Sequence, residues 1–103
     1  INNTVTGVQP VSGNIPEMFS LEQNYPNPFN PVTSIKFSIP KESNVKLTVY
    51  DLLGKEVISL VNEKLSAGSF KVDLDGSELS SGTYFYKLQT GSFVETKKMT
   101  LLK

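Results

Sequence analysis

Beyond Pro31 apolar and polar positions alternate. Ile35, Phe37 and Ile39 fall on one side of an extended chain, Lys36 and Ser38 on the other, until Pro40 ends the run. A period of two marks a strand with one buried face, and the pattern recurs. Val45, Leu47 and Val49 alternate with Lys46, Thr48 and Tyr50, and the turn Asp51-Leu52-Leu53-Gly54 then leads into Glu56-Val57-Ile58-Ser59-Leu60, which predicts a hairpin. Ala67-Gly68 precedes Phe70, Val72 and Leu74, and the breaks Asp75-Gly76 and Ser80-Ser81-Gly82 follow, so a further strand fits between them. Tyr84, Tyr86 and Leu88 alternate with Thr83, Phe85 and Lys87, and Thr90-Gly91-Ser92 turns the chain into Phe93 through Leu102 as a last hairpin. Only Glu17-Met18-Phe19 and Val61 through Leu65 have helical character, and both are too short to be stable alone. The expected fold is all-β: an immunoglobulin-like antiparallel β-sandwich of about seven strands with no substantial helix.

Upstream the periodicity fails. Residues 1–20 mix Asn, Thr, Gly, Pro and Ser, with Pro10, Gly13 and Pro16 interrupting any pattern, the composition of a loosely attached linker. Leu21-Glu22-Gln23-Asn24 fits a short edge strand. Tyr25-Pro26-Asn27-Pro28-Phe29-Asn30-Pro31 then places three prolines in seven residues. Prolines cannot donate to a ladder, while Asn27 and Asn30 can bond nearby backbone amides. An ordered bend is expected there, anchored in the core by Phe29. The domain thus divides into a linker, 1–20, and a body, 21–103.

Composition narrows the chemistry. A chain of 103 residues suits one domain, and without cysteine neither disulfides nor thiolate metal sites can hold it together. Ten lysines balance ten acidic residues, with no arginine or histidine, which argues against a nucleic-acid partner. No apolar run approaches the roughly 20 residues of a membrane helix. The chain opens on Ile1-Asn2-Asn3-Thr4 rather than a basic start and apolar stretch, so it is expected to be a piece of a longer polypeptide. Asn2-Asn3-Thr4 also fits the N-glycosylation pattern, a match common by chance.

Lacking histidine and cysteine, the sequence can form no Ser-His-Asp or Cys-His arrangement. Asp51, Glu56, Asp73, Asp75 and Glu78 are the candidates for a glycosidase carboxylate pair, but they fall in turns or on outward strand positions. Asp73-Leu74-Asp75-Gly76 resembles a calcium loop only in passing, because the other oxygen ligands are missing. The glycines never assemble into a phosphate-cradling loop. Tyr84-Phe85-Tyr86 could stack on sugars, yet alternation puts Tyr84 and Tyr86 on one face and Phe85 on the other. A buried tyrosine pair with hydroxyls at the rim is the simpler account. The expectation is therefore no catalytic residue, no metal and no cofactor.

Three stretches together resemble a known family. Leu21 through Pro31 contains Asn24, Tyr25, Pro26, Asn27, Pro28, Phe29, Asn30 and Pro31; Thr33-Ser34-Ile35-Lys36-Phe37 follows, then Val49-Tyr50-Asp51-Leu52-Leu53-Gly54. Ala67-Gly68, Leu79 through Tyr86 with Gly82 and Tyr84, and the closing Lys97-Lys98-Met99-Thr100-Leu101-Leu102-Lys103 continue the match in order and spacing. The combination is similar to the C-terminal sorting domain of type IX secretion, type A, over residues 21–103.

That resemblance implies a domain at the C-terminus of an exported cargo protein. The type IX outer-membrane translocon of a Gram-negative bacterium would recognise it from the periplasm, with shuttle and sortase components. It also implies cleavage from the cargo, here within Gly13 to Ser20, and release of the cargo or its fixing at the cell surface through a glycolipid. The box and Asp51, Gly54, Gly68, Gly82 and Tyr84 would be structural. Recognition would fall to Lys97, Lys98, Met99, Leu101, Leu102 and Lys103. The last strand is expected on a sheet edge, where it can pair with a partner strand while Lys97 and Lys98 discourage indiscriminate pairing. Met99, Leu101 and Leu102 would fill a receptor pocket; the alternative is that they complete the core. A carbohydrate-binding or adhesion module on a secreted enzyme is the rival reading.

Overall fold

The computed structural model describes residues 5–10 and 15–103. Each alternating run becomes a strand. β3 (Val32–Ile39) buries Ile35, Phe37 and Ile39; β4 (Ser43–Tyr50) buries Val45, Leu47 and Val49; β6 (Gly68–Asp75) buries Phe70, Val72 and Leu74; β7 (Gly82–Gln89) buries Tyr84, Tyr86 and Leu88. β8 (Val94–Leu101) closes the series. Every described element is a strand.

β5 (Glu56–Leu65) runs past the expected end at Leu60, through the window with helical character. Pairing explains this. Asn44 faces Lys64 and Val45 faces Glu63 on β4, and the register slips between Leu47, opposite Val61, and Thr48, opposite Ser59. Leu60 is thus the extra residue of a bulge, and Leu60 and Val61 are both buried. Two consecutive buried residues break the period of two that sequence reasoning relies on.

Upstream, β2 (Ser20–Leu21) is shorter than the strand expected over Leu21–Asn24 and lies along β3. No strand is expected before it, yet β1 (Val5–Pro10) pairs with β6, with Val8 opposite Val72 and Pro10 opposite Phe70. Backbone pairing on an edge tolerates almost any sequence, even a proline at the strand end. The Asn2-Asn3-Thr4 pattern and Gly13 lie outside the described residues.

The sheets have the orders β1-β6-β3-β2 and β5-β4-β7-β8. Leaving β1 aside, a three-strand sheet faces a four-strand sheet, and the chain crosses between them after β3, β5 and β6. This is the strand order of an immunoglobulin-like sandwich. The Tyr84 hydroxyl donates to the Ser80 carbonyl at 2.7 Å, the tyrosine corner of that fold. Inward side chains of both sheets meet in one core, within which Phe37 and Phe70 stack at 5.5 Å between ring centroids.

Candidate functional site

The proline box is built on a buried amide. Asn24 Nδ2 donates to Thr33 Oγ1 at 3.0 Å and to the Pro26 carbonyl at 3.2 Å, and Thr33 Oγ1 donates to that same carbonyl at 2.9 Å. The Asn24 N–H donates to the Tyr86 hydroxyl at 2.8 Å, which in turn donates to the Glu22 carbonyl at 2.7 Å. Burial is the main reason that the Tyr86 phenol is pushed up to about 12, since a charged phenolate would lose its hydration. Tyr25 and Ser34 exchange both backbone bonds at 3.0 Å. With three positions unable to donate, these contacts hold the bend.

The far side of the box grips β8. Phe29 is 1% exposed; its N–H donates to the Thr100 carbonyl at 2.9 Å, and its carbonyl accepts the Leu102 N–H at 3.0 Å. Asn27 Oδ1 accepts the Thr100 N–H at 3.0 Å, and Gln23 Nε2 donates to the Lys98 carbonyl at 2.7 Å. Gly76 makes room: a Cβ there would stand 3.1 Å from the Phe29 ring. Two of the stretches that carry the resemblance, the box and the closing segment, therefore touch although they are far apart in sequence.

β8 is the last strand of its sheet, as expected, but among the described residues only part of its outer edge is open. Lys98, Thr100 and Leu102 direct their edge groups at the box. By the same parity the N–H and C=O of Thr96 face outward beyond the reach of those contacts. Glu95 and Lys97 share the inward face with Met99 and Leu101, half-buried at the rim, with Lys97 Nζ 3.3 Å from Glu95 Oε2. Inward-pointing charges on an edge strand oppose uncontrolled pairing.

The recognition candidates thus separate. Met99 and Leu101 are 0% exposed and belong to the core; in the folded domain their side chains fill no receptor pocket. Lys98 and Leu102 are exposed, and Lys103 is tied down by its N–H to Ser81 Oγ at 3.1 Å and its Nζ to the Ser77 carbonyl at 2.6 Å. Asp51 Oδ1 accepts the N–H groups of Leu53 and Lys55 at 2.9 and 3.0 Å, while Gly54 takes φ +85° in the same turn. Gly68 opens β6 and Gly82 opens β7.

Other candidates are occupied locally. Asp73 Oδ1 accepts the Ser34 hydroxyl at 2.6 Å, and Asp75 Oδ1 accepts the Ser77 N–H at 2.9 Å. Hydrogen bonds from Ser77 hold the Asp75 carboxyl below the usual range. The Tyr84 and Tyr86 rings are buried, the simpler of the two accounts of that cluster, and offer no sugar-stacking platform. Periodicity also misses the stacking of Phe19, before β2, on Phe93 at 5.3 Å; two aromatics outside the regular alternation are its one signal.

Fold and edge together define an immunoglobulin-like β-domain whose terminal strand, among the described residues, is half covered and half free. The profile of the secretion system C-terminal sorting domain matches residues 23–101. The chain belongs to that family, the C-terminal sorting signals of type IX secretion. The chain matches none of the curated proteins. Membership implies a cargo in cis, type IX machinery as partner, and export to the medium or cell surface. No helix among the described residues is long and apolar enough to cross a membrane.

Proposed function

We propose that this domain carries a larger cargo across the outer membrane by presenting β8 to the translocon as an incomplete sheet edge. The open backbone groups around Thr96 accept a strand of the machine, while the exposed Lys98 and Leu102 side chains set the register. Met99 and Leu101, with the box, keep the strand in place. Shuttle and sortase components then act on the segment Gly13 to Ser20, separating cargo from domain before release or attachment at the surface. The domain itself does no chemistry. What supports the reading is one observation: the box covers the edge at Lys98, Thr100 and Leu102 and stops short of Thr96.

Proline at position 96 tests it, because an edge residue whose N–H faces outward tolerates proline while losing its donor. A secreted reporter fused to the whole chain should be exported normally with Thr96→Ala and fail with Thr96→Pro, both purified domains melting as cooperatively as the parent. Normal export of the proline variant would overturn edge pairing.

A further inference from the structure

The turn between β4 and β5 holds two leucines in water. Leu53 is 93% and Leu52 66% exposed. The turn itself asks for neither. Its bonds run from the Leu53 and Lys55 N–H groups to the Asp51 carboxylate, from the Gly54 N–H to the Asp51 carbonyl at 3.0 Å, and from the Asp51 N–H to the Lys55 carbonyl at 2.9 Å. A carboxylate and a glycine suffice for that geometry, so serine or asparagine would serve at 52 and 53. Those bonds fix the backbone of the turn, and both leucine side chains stand clear of the core. A rigid apolar tip that contributes nothing to its own turn is the kind of exposure that marks an interaction site.

Its position says with what. On one side Leu52 and Leu53 share a depression of about 220 Å³ with Ser81, Gly82 and Tyr84. Ser81 holds Lys103, and Gly82 stands opposite Leu101. On the other side Leu52 borders a cleft of about 320 Å³ with Tyr50, Phe85, Lys87 and Thr96, where Lys87 Nζ lies 5.3 Å from the centre of the Tyr50 ring. The tip therefore borders, on one side, the depression beside the Ser81 anchor of Lys103 and, on the other, the outer sheet face that carries the Thr96 side chain.

We infer that Leu52 and Leu53 are a second docking point for the outer-membrane protein that receives β8, and that this protein offers them an apolar pocket. The inference rests on the sorting role proposed above. It extends that role from a strand edge to a two-point contact, which fixes the domain's orientation as well as its attachment.

The experiment uses the reporter fused to the whole chain, in a host with the type IX machine and in one lacking its translocon. Leu52→Ser with Leu53→Ser should lower export about tenfold, as expected for truncated interface anchors. Leu52→Met with Leu53→Met should export like the parent, and purified chains should show equal thermal midpoints. Parent export that needs the machine, with the double serine variant exported equally well, would overturn the second docking point and leave the sorting role standing. Parent export in the host without the translocon would overturn both. Sedimentation adds another arm: a parent that dimerises through the tip, with the serine variant monomeric and normally exported, would assign the leucines to self-association and overturn the inference.

Discussion

Tyr86 ties the box to the core through one oxygen. Tyr86→Phe removes the bond to Glu22 and strands the buried Asn24 N–H, so it should cost about 1–3 kcal/mol near neutral pH. The sign of its pH dependence follows from burial. In the unfolded chain the phenol ionises near 10, and in the folded domain at about 12. Its contribution is therefore complete below pH 10 and is lost as the pH climbs through 12. Denaturant titrations should show the gap between parent and Tyr86→Phe narrowing over that interval; a constant gap would contradict the assignment. Gly54 gives a cleaner case. Nothing lies within 4 Å of a Cβ built there, so Gly54→Ala should cost only the left-handed backbone penalty, roughly 1–2 kcal/mol, read as a lower urea midpoint with unchanged slope. At this scale the parity of Tyr84, Phe85 and Tyr86 is legible in sequence, because alternation dictates it. The reach of Tyr86 to Glu22 and Asn24 is not, because it joins positions more than sixty apart.

The box and β8 behave as one element. Asn27→Ala frees the Thr100 N–H, and amide exchange at Thr100 should accelerate about tenfold, as loss of a bond worth roughly 0.5–1.5 kcal/mol allows. The Phe29 N–H, which donates to Thr100, should change less. Equal acceleration along all of β8 would mean that the strand opens as a unit and that the box does not act bond by bond. Strand existence is legible here wherever alternation is strict, as in β3 and β7. β5 defeats the pattern because a bulge lets Leu60 and Val61 both turn inward, and β1 because edge pairing asks little of its side chains. The recognition segment is visible in sequence only through family likeness. Periodicity alone gives Met99 and Leu101 the core role that they have, and nothing local announces that Asn27 and Phe29 will reach Thr100.

For the molecule as a whole, the terminal strand is both candidate signal and part of the body. Removing Lys97 to Lys103 takes away two fully buried side chains and the partner of the box, so that truncation should abolish the cooperative melt. Met99→Ala alone should cost about 2–5 kcal/mol. Loss of export in such variants would report misfolding. Surface changes at Thr96, Lys98, Leu52 and Leu53 separate recognition from folding because none of these side chains enters the core. The two-sheet architecture is legible because each strand has one apolar face to cover; the order of strands within the sheets is settled by long-range pairing. The measurement that bears most directly on the account is export of a periplasmic reporter fused ahead of the whole chain, compared between a host with an intact type IX translocon and one without. The account predicts reporter outside the cells only in the first host; equal amounts outside in both, or none in either, would contradict it.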